Sequence, residues 1–438
     1  MKKSYLILLT FFSCVMNSVQ AQWTFFKSKE KVSIPFEIIN NTIILKAKVN
    51  DTDLNLILDT GSNLNILFSF PEKDSIIFEN TSKINITGPG IKKPVNAILS
   101  KNNKLDLGKV KTYLFDVIIV DQNDFQLANN MGIPIHGILG TNLFLNFIIE
   151  INYQKKMLIF FDSKSKRISK IKKKYKELSL EIIENKPYLE TQICLDSSST
   201  KNVKLLLDTG LSDGLWLIEN TFLTQNKKSI NDYLGTGLGG AIFGKKIRFS
   251  SLKLADFKLN APIISFPDST TFFEKNYIKG RSGSLGGEIL KKFNLIFDFN
   301  SKKLYLKPNS HFSETFHYNS SGIHLQHIGY EILEEKIKLE SGIQAINLNE
   351  YVFSDVTHKF NFVLKPTFEI AYIRNHSVAE QAGLKIGDKL LRVNNKSALL
   401  FSLSQLNELL SNNNQEIIIE IERNKEKKTV KLVLKDEI

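Results

Sequence analysis

Short runs of alternating apolar and polar residues dominate the first three quarters of the chain. TIILKAKV (42–49) and LNLIL (54–58) place apolar side chains at every second position, the period of a half-buried strand. Asn and Gly punctuate the runs, as turns between strands require. Helical spacing is rarer. SLSQLNELLSNNN (402–414) sets Leu403, Leu406 and Leu410 on one face behind a serine suited to capping. The pattern predicts a mostly β chain. It also raises a difficulty at LNLILDTGSNLNIL (54–67), where an apolar run ends on Asp59. Burying a carboxylate is costly unless it is paired or hydrogen-bonded, so Asp59 needs a partner.

The partner lies in a repeat. VKLLLDTGLSDGLWL (203–217) places Asp208-Thr209-Gly210 after three leucines. FEII (36–39) precedes the first motif and LEII (180–183) the second. Thr87-Gly88-Pro89-Gly90 and Thr236-Gly237-Leu238-Gly239 stand at the same offset from Asp59 and Asp208. LDLGKVKTYLFDVIIVD (105–121) matches LKLADFKLNAPIISFPD (252–268) in apolar pattern. Each copy closes with a triplet, Ile138-Leu139-Gly140 or Ser284-Leu285-Gly286, then a short predicted helix and a strand entering a turn. A lone Asp-Thr-Gly is a common string, but this many features in one order are not coincidence. Residues 30–163 and 175–308 are two copies of one β unit.

Twin Asp-Thr-Gly motifs, each followed by a Gly-bearing hairpin and a triplet ending in Gly, resemble aspartic proteases. Each half has the length of a retroviral-type subunit, while the single two-lobed chain is similar to pepsin. Bacterial retropepsin-like proteins match best, over about residues 32–308. The resemblance implies two tandem retropepsin-like lobes of closed β-barrel type, with Asp59 and Asp208 catalytic across a pseudo-two-fold axis. It implies that Thr60 and Thr209 bond the opposite loop. Gly61 and Gly210 permit a tight turn with a backbone N–H aimed at the carboxylate. Thr87, Gly88 and Gly90, with Thr236, Gly237 and Gly239, are the implied flaps over an extended peptide; plain hairpin turns are the alternative. No tyrosine lies between Asp59 and Tyr113, so the flap tyrosine of pepsin-like enzymes is missing.

Two carboxylates that share one proton can hydrolyse an amide without metal or cofactor. Like charges at close range do not both ionise easily, so the pair titrates as a unit. The ionised member takes a proton from water, and the neutral member hydrogen-bonds the carbonyl oxygen. The residue after each motif differs. Ser62 can donate to the outer oxygen of Asp59, whereas the Leu211 side chain cannot donate to Asp208. The expectation is a shared proton mainly on Asp208 and a resting charge on Asp59.

Composition adds location and partners. The 438 residues suffice for two to four domains. MKKSYLILLTFFSCVMNSVQA (1–21) reads as a secretory signal, so the chain is expected in the periplasm, the cell envelope or the medium. A membrane anchor is the weaker reading, because the apolar run is short for a span. Beyond that segment only Cys194 remains of the two cysteines, too few for an internal disulfide. The histidines show no metal-ligand spacing. Much of the net charge of +13 sits in KSKRISKIKKKYK (164–176). That segment reads as a solvated basic linker, the alternative being contact with an anionic envelope surface. No aromatic platform for bases accompanies it, so no nucleic-acid partner is expected. Both carboxylates lie in one chain, and a monomer is expected.

Residues 316–438 have another texture. SVAEQAGLKIGDKLLRVNN (377–395) is similar to the PDZ signature, with Val378 in place of Pro and Asn395 in place of Gly. The resemblance implies an α+β PDZ domain that takes a peptide or protein partner by strand addition beside the 402–414 helix. Its carboxylate loop is expected upstream, around Phe360-Asn361-Phe362; a PDZ fold used only for packing is the alternative. The whole chain reads as an exported aspartic endopeptidase whose PDZ domain assists recognition. The other reading is a catalytically silent peptide-binding or scaffolding protein of the envelope.

Overall fold

The computed structural model describes residues 24–25, 31–68, 76–86, 94–120, 131–162, 165–196, 199–218, 227–237, 240–268, 278–339 and 357–438, with backbone alone for 24–25, 334–339 and 357–361. The signal-like segment 1–21 lies outside the described residues, as do Thr87, Gly88, Gly90 and Gly239.

The first unit is a nine-stranded sheet that closes on itself. Strand Thr42–Val49 pairs antiparallel with Thr52–Leu58, and Gly137–Leu139 runs parallel to the latter. Val95–Asp106 completes the ring by pairing with both Thr42–Val49 and Val110–Val120. The alternation works as read: Ile43, Leu45, Ala47 and Val49 enter the main core, while Ile44 and Ile57 join a second apolar layer on the other face. Asn40-Asn41 and Asn50-Asp51 turn the strands with φ between 46° and 70°. Asn and Asp tolerate that region better than most residues.

The second unit repeats the plan in a ten-stranded sheet. Lys186–Cys194 pairs with Thr200–Leu207, and Arg281–Leu285 runs parallel to Thr200–Leu207. Here the two long strands are each broken in two, giving Gly240–Arg248 with Ser251–Leu254 and Phe257–Asn260 with Ile263–Pro267.

A six-stranded sheet joins the units. At its centre Ile148–Asn152 meets Phe293–Asp298, with Ile149 opposite Phe297 and Ile151 opposite Leu295. Phe144 packs edge-on against Phe297, ring centroids 5.3 Å apart, so one apolar core runs through both units. The basic segment differs from the solvated linker expected of it. Ser165 caps a helix, Lys166–Lys172, in which Ile168 is 2% exposed and packs with Ile148, Phe161, Ile296 and Tyr305. Ile168 and Ile171, three residues apart among lysines, supply a narrow apolar stripe that covers the joining sheet. Lys172 then pairs with Asp298 at 2.5 Å.

The C-terminal sheet orders Ile323–Leu339, Thr357–Ile373, Lys389–Val393, Glu416–Arg423 and Glu426–Val433. Helix Leu403–Leu410 carries the predicted serine cap, with Ser402 and Gln405 forming a reciprocal capping box. Leu406 and Leu410 face Ile323 and Leu325 across a small apolar hollow, so the strand beside the helix is Ile323–Leu339. This corrects the expected carboxylate loop: residues 360–362 lie inside strand Thr357–Ile373, paired with 334–336. The turn that leads into the helix-flanking strand is Asn319–Gly322. Its Gly322 has φ 77°, and a Cβ there would come within 2.3 Å of Ser377. Asn319 and Ser321 fold the turn with their own side chains, Asn319 Oδ1 accepting from Gly322 N at 3.0 Å and Ser321 Oγ from Ile323 N at 3.0 Å.

This module sits on the second unit. Asp232, on hairpin strand Ser229–Gly237, is 1% exposed; its Oδ1 lies 2.9 Å from Nε2 of His324, and its Oδ2 accepts from Arg374 at 3.5 Å. Tyr233 and Phe243 of the same hairpin pack edge-on against His324 and Tyr372, at 5.1 and 5.2 Å between centroids. Gly132 of the first unit also lies against Leu403, where a Cβ would come within 3.0 Å.

Candidate active site

Each motif strand delivers its aspartate in the same way. Asp59 N donates to Leu139 O and Asp208 N to Leu285 O, both at 2.9 Å. The closing glycines let that strand slide under the loop: a Cβ on Gly140 would lie 2.7 Å from Ser62 O, and one on Gly286 would lie 2.8 Å from Leu211 O. The triplets noted in the sequence are therefore the floor of the two loops.

The loops cross. Thr60 N–H donates to Thr209 Oγ1 at 3.0 Å, while the Thr60 hydroxyl donates to Leu207 O at 2.7 Å. Thr209 N–H donates to Thr60 Oγ1 at 3.1 Å, and its hydroxyl donates to Leu58 O at 2.7 Å. Both threonines are fully buried, and this exchange satisfies each hydroxyl and each amide. Crossing at this depth leaves no room for side chains at the next position. A Cβ on Gly61 would lie 2.6 Å from Asp208 Cγ, and one on Gly210 would lie 2.6 Å from Asp59 Cγ. With hydrogen alone at both positions, the two carboxyl groups come into direct hydrogen-bond contact.

The hydrogen bond expected from the Ser62 hydroxyl to Asp59 is not formed. Ser62 does not turn its hydroxyl to Asp59; Ser62 Oγ donates to Leu64 O at 2.9 Å and accepts from Leu64 N at 3.1 Å, a local turn that competes for it. Asp59 Oδ1 accepts from Gly61 N at 2.7 Å. Asp208 Oδ1 accepts from Gly210 N at 3.1 Å and from Leu211 N at 3.0 Å, so the main chain of Leu211 does what its side chain cannot. Burial raises both carboxyls. Asp59 is pushed well above the usual carboxylate range by burial and then by the charge of Asp208. Asp208 is raised by burial too, but the Arg281 guanidinium opposes the rise. A shared proton is favoured, and the charge of Arg281 favours ionisation on the Asp208 side.

Of the residues expected in flaps, Thr236 and Gly237 end the hairpin strand Ser229–Gly237, opposite Ala241 and Gly240. Thr236 Oγ1 contacts the hydroxyl of Tyr233, which stands at a bulge in that strand. Strands Thr81–Ile86 and Val95–Asp106 form the corresponding hairpin of the first unit. Arg281 escaped the reading of the sequence although a signal existed. Aligning the copies on Gly140 and Gly286 sets Arg281 against Ile135 and Ser284 against Ile138, a cation and a hydroxyl in place of two isoleucines. The Asp232–His324–Arg374 contact had no such signal.

Residues 45–143 match the family model described as aspartyl protease, and residues 369–423 match the PDZ domain. Among solved structures, the chain is similar to an aspartic proteinase from Irpex lacteus. That match has 14% identity, covers 65% of this chain and 99% of the other, and has a TM-score of 0.41. No curated protein matches the chain. The protein carries an aspartyl protease domain followed by a C-terminal PDZ domain in a mostly β fold.

Proposed function

We propose that the protein is an aspartic endopeptidase whose dyad is Asp59 and Asp208, exported by segment 1–21 and active as a monomer. The observation that carries this reading is the crossed pair of motif loops, which holds two carboxyls in mutual contact with one proton favoured between them. An extended peptide lies along the cleft beneath the flap hairpins. Asp208, ionised, takes a proton from water as the water oxygen attacks the peptide carbonyl carbon, and Asp59 passes its proton to the carbonyl oxygen. Collapse of the resulting diol sends the proton on Asp208 to the leaving nitrogen. Asp59 recovers a proton from the diol hydroxyl, and both groups return to their starting state.

The PDZ domain contributes recognition of a substrate or partner segment between strand Ile323–Leu339 and helix Leu403–Leu410. Its attachment to the second flap hairpin favours a fixed geometry between that groove and the cleft. The test is cleavage of a diverse peptide library by the purified protein beside Asp59→Asn and Asp208→Asn variants. Cleavage by wild type alone supports the reading. Peptide binding without cleavage by any of the three would make the protein a silent scaffold instead.

A further inference from the structure

The two copies differ most, close to the dyad, in the strand that floors each motif loop. In the first unit it reads Gly137-Ile138-Leu139, with Ile138 beside Ile57. In the second, Ser284 stands beside Leu206 and Gly283 beside Leu205. Arg281 begins this strand and folds back along it: Nε donates to Gly283 O at 3.2 Å and Nη2 to Ser284 Oγ at 2.6 Å. Ser284 is 5% exposed, so the guanidinium is held against the sheet rather than trailing in solvent. The next residue, Leu285, accepts the main-chain N–H of Asp208. Arg281 is thus fixed by two bonds to its own strand, the one that floors the loop of Asp208.

Building on the proposed two-aspartate reaction, we propose that Arg281 is a positioning residue that keeps the negative charge of the pair on Asp208 and leaves the shared proton on Asp59. The motif loops are nearly symmetric, so their backbone bonds alone distinguish the carboxyls weakly. A fixed cation on one side distinguishes them by charge. Asp59 approaches from the opposite loop, Arg281 from its own strand, and Tyr188 from strand Lys186–Cys194, acting electrostatically on both Asp208 and Arg281. Tyr188 is 1% exposed and its hydroxyl has no hydrogen-bond partner among the described residues. Farther along the same face Lys204 and Glu181 pair with each other. Arg281 is therefore the cation that opposes desolvation of Asp208, and it assigns base and acid before any substrate arrives.

The test uses the full chain with Arg281→Met and Arg281→Lys. Carboxyl-carbon NMR of protein labelled at aspartate follows the titration of the pair, and Asp59→Asn and Asp208→Asn variants assign the two signals. Arg281→Met is expected to raise the titration of Asp208 by about one unit, and Arg281→Lys to keep it within a few tenths of wild type. In kcat/KM the acid limb should move upward by the same amount in Arg281→Met, because the pair then loses its first proton at higher pH. An unmoved Asp208 signal, or equal shifts in both variants, would overturn the proposal. So would an activity loss uniform across pH, which marks a merely structural role. Because the titration needs no turnover, a wild type that titrates as expected but cuts nothing would refute the protease reading and leave the role of Arg281 standing.

Discussion

Lobe 1 and lobe 2 hold their aspartates by the same main-chain bonds and exchange the same threonine contacts across the axis between them. What lies behind those bonds is different. In lobe 1 the floor of the loop is aliphatic, with Ile57 and Ile138 in one apolar layer. In lobe 2 the same floor carries Ser284 and Arg281, and the residue aligned with Asn142 of lobe 1 is the acid Glu288. The hairpin strand above it carries Asp232, sealed beneath the PDZ domain. The comparison teaches that the motif residues build a symmetric scaffold, while residues outside the motif decide which half does what. A symmetric dyad needs only the strings Asp-Thr-Gly. An oriented one needs a cation on one side.

The largest effect should test the shared scaffold. Asp59→Asn and Asp208→Asn should each lower kcat/KM by at least about a thousand-fold, since the pair acts as a unit. Both should melt no lower than wild type at neutral pH, because each removes the cost of burying a second carboxylate. Loss confined to one variant would mean that the lobes are not equivalent partners in the chemistry.

Next comes the contact that lobe 2 alone makes. Asp232→Ala leaves Arg374 and His324 without their buried acid and should destabilise the lobe 2–PDZ unit by about 3 kcal/mol at pH 7, read by chemical denaturation. Burial acts to raise Asp232, but His324 first, then Lys246 and Arg374, hold it below the usual carboxylate range. A carboxyl lowered in the folded state stabilises above its unfolded value, and that contribution is lost as pH falls through the folded value. The gap between Asp232→Ala and wild type should therefore narrow in acid. A gap that is independent of pH would show that the charge of Asp232 contributes nothing to the contact.

Thr60→Val and Thr209→Val examine the symmetry directly. Each leaves a buried amide and a buried carbonyl of the opposite strand without a partner and should cost about 2 kcal/mol. The two losses should agree closely in a denaturation experiment. A clear inequality would show that one lobe depends on the crossing more than the other.

Glu288→Gln imports the neutral character of lobe 1 and should have the smallest effect. Burial, followed by Asp213, pushes the Glu288 carboxyl up to about 7. A carboxyl raised in the folded state favours folding below its unfolded value, and that advantage fades as pH climbs through the folded value. The amide should therefore gain about 1 kcal/mol above pH 7, allowing for its partial exposure, and nothing near pH 4. An equal gain at both pH values would mean that Glu288 is uncharged throughout or sheltered by Lys246.

The sequence by itself determined the repeat, the strand character of most of the chain, the pairing of Asp59 with Asp208 and the PDZ helix with its cap. These are local or periodic properties. Alternation fixes which face of a strand is buried, a glycine beside a threonine marks a tight turn, and two copies of one unit must meet their buried acids with each other. Tertiary structure decided what depends on competition between neighbours distant in the chain. Ser62 was free on paper to bond Asp59, but Leu64 captured its hydroxyl. Leu211 looked like a defect until its backbone N–H reached Asp208. The lysine-rich connection hid Ile168, whose burial became visible only once strands from both lobes formed a surface for it. The polar turn Asn319–Gly322, whose Asn319 carbonyl accepts from Arg374, and the buried Asp232 likewise acquire meaning from partners tens of residues away. A hydrogen bond or a field acts over a few ångströms in space, and no spacing rule along the chain reports which side chains the fold will bring within that distance.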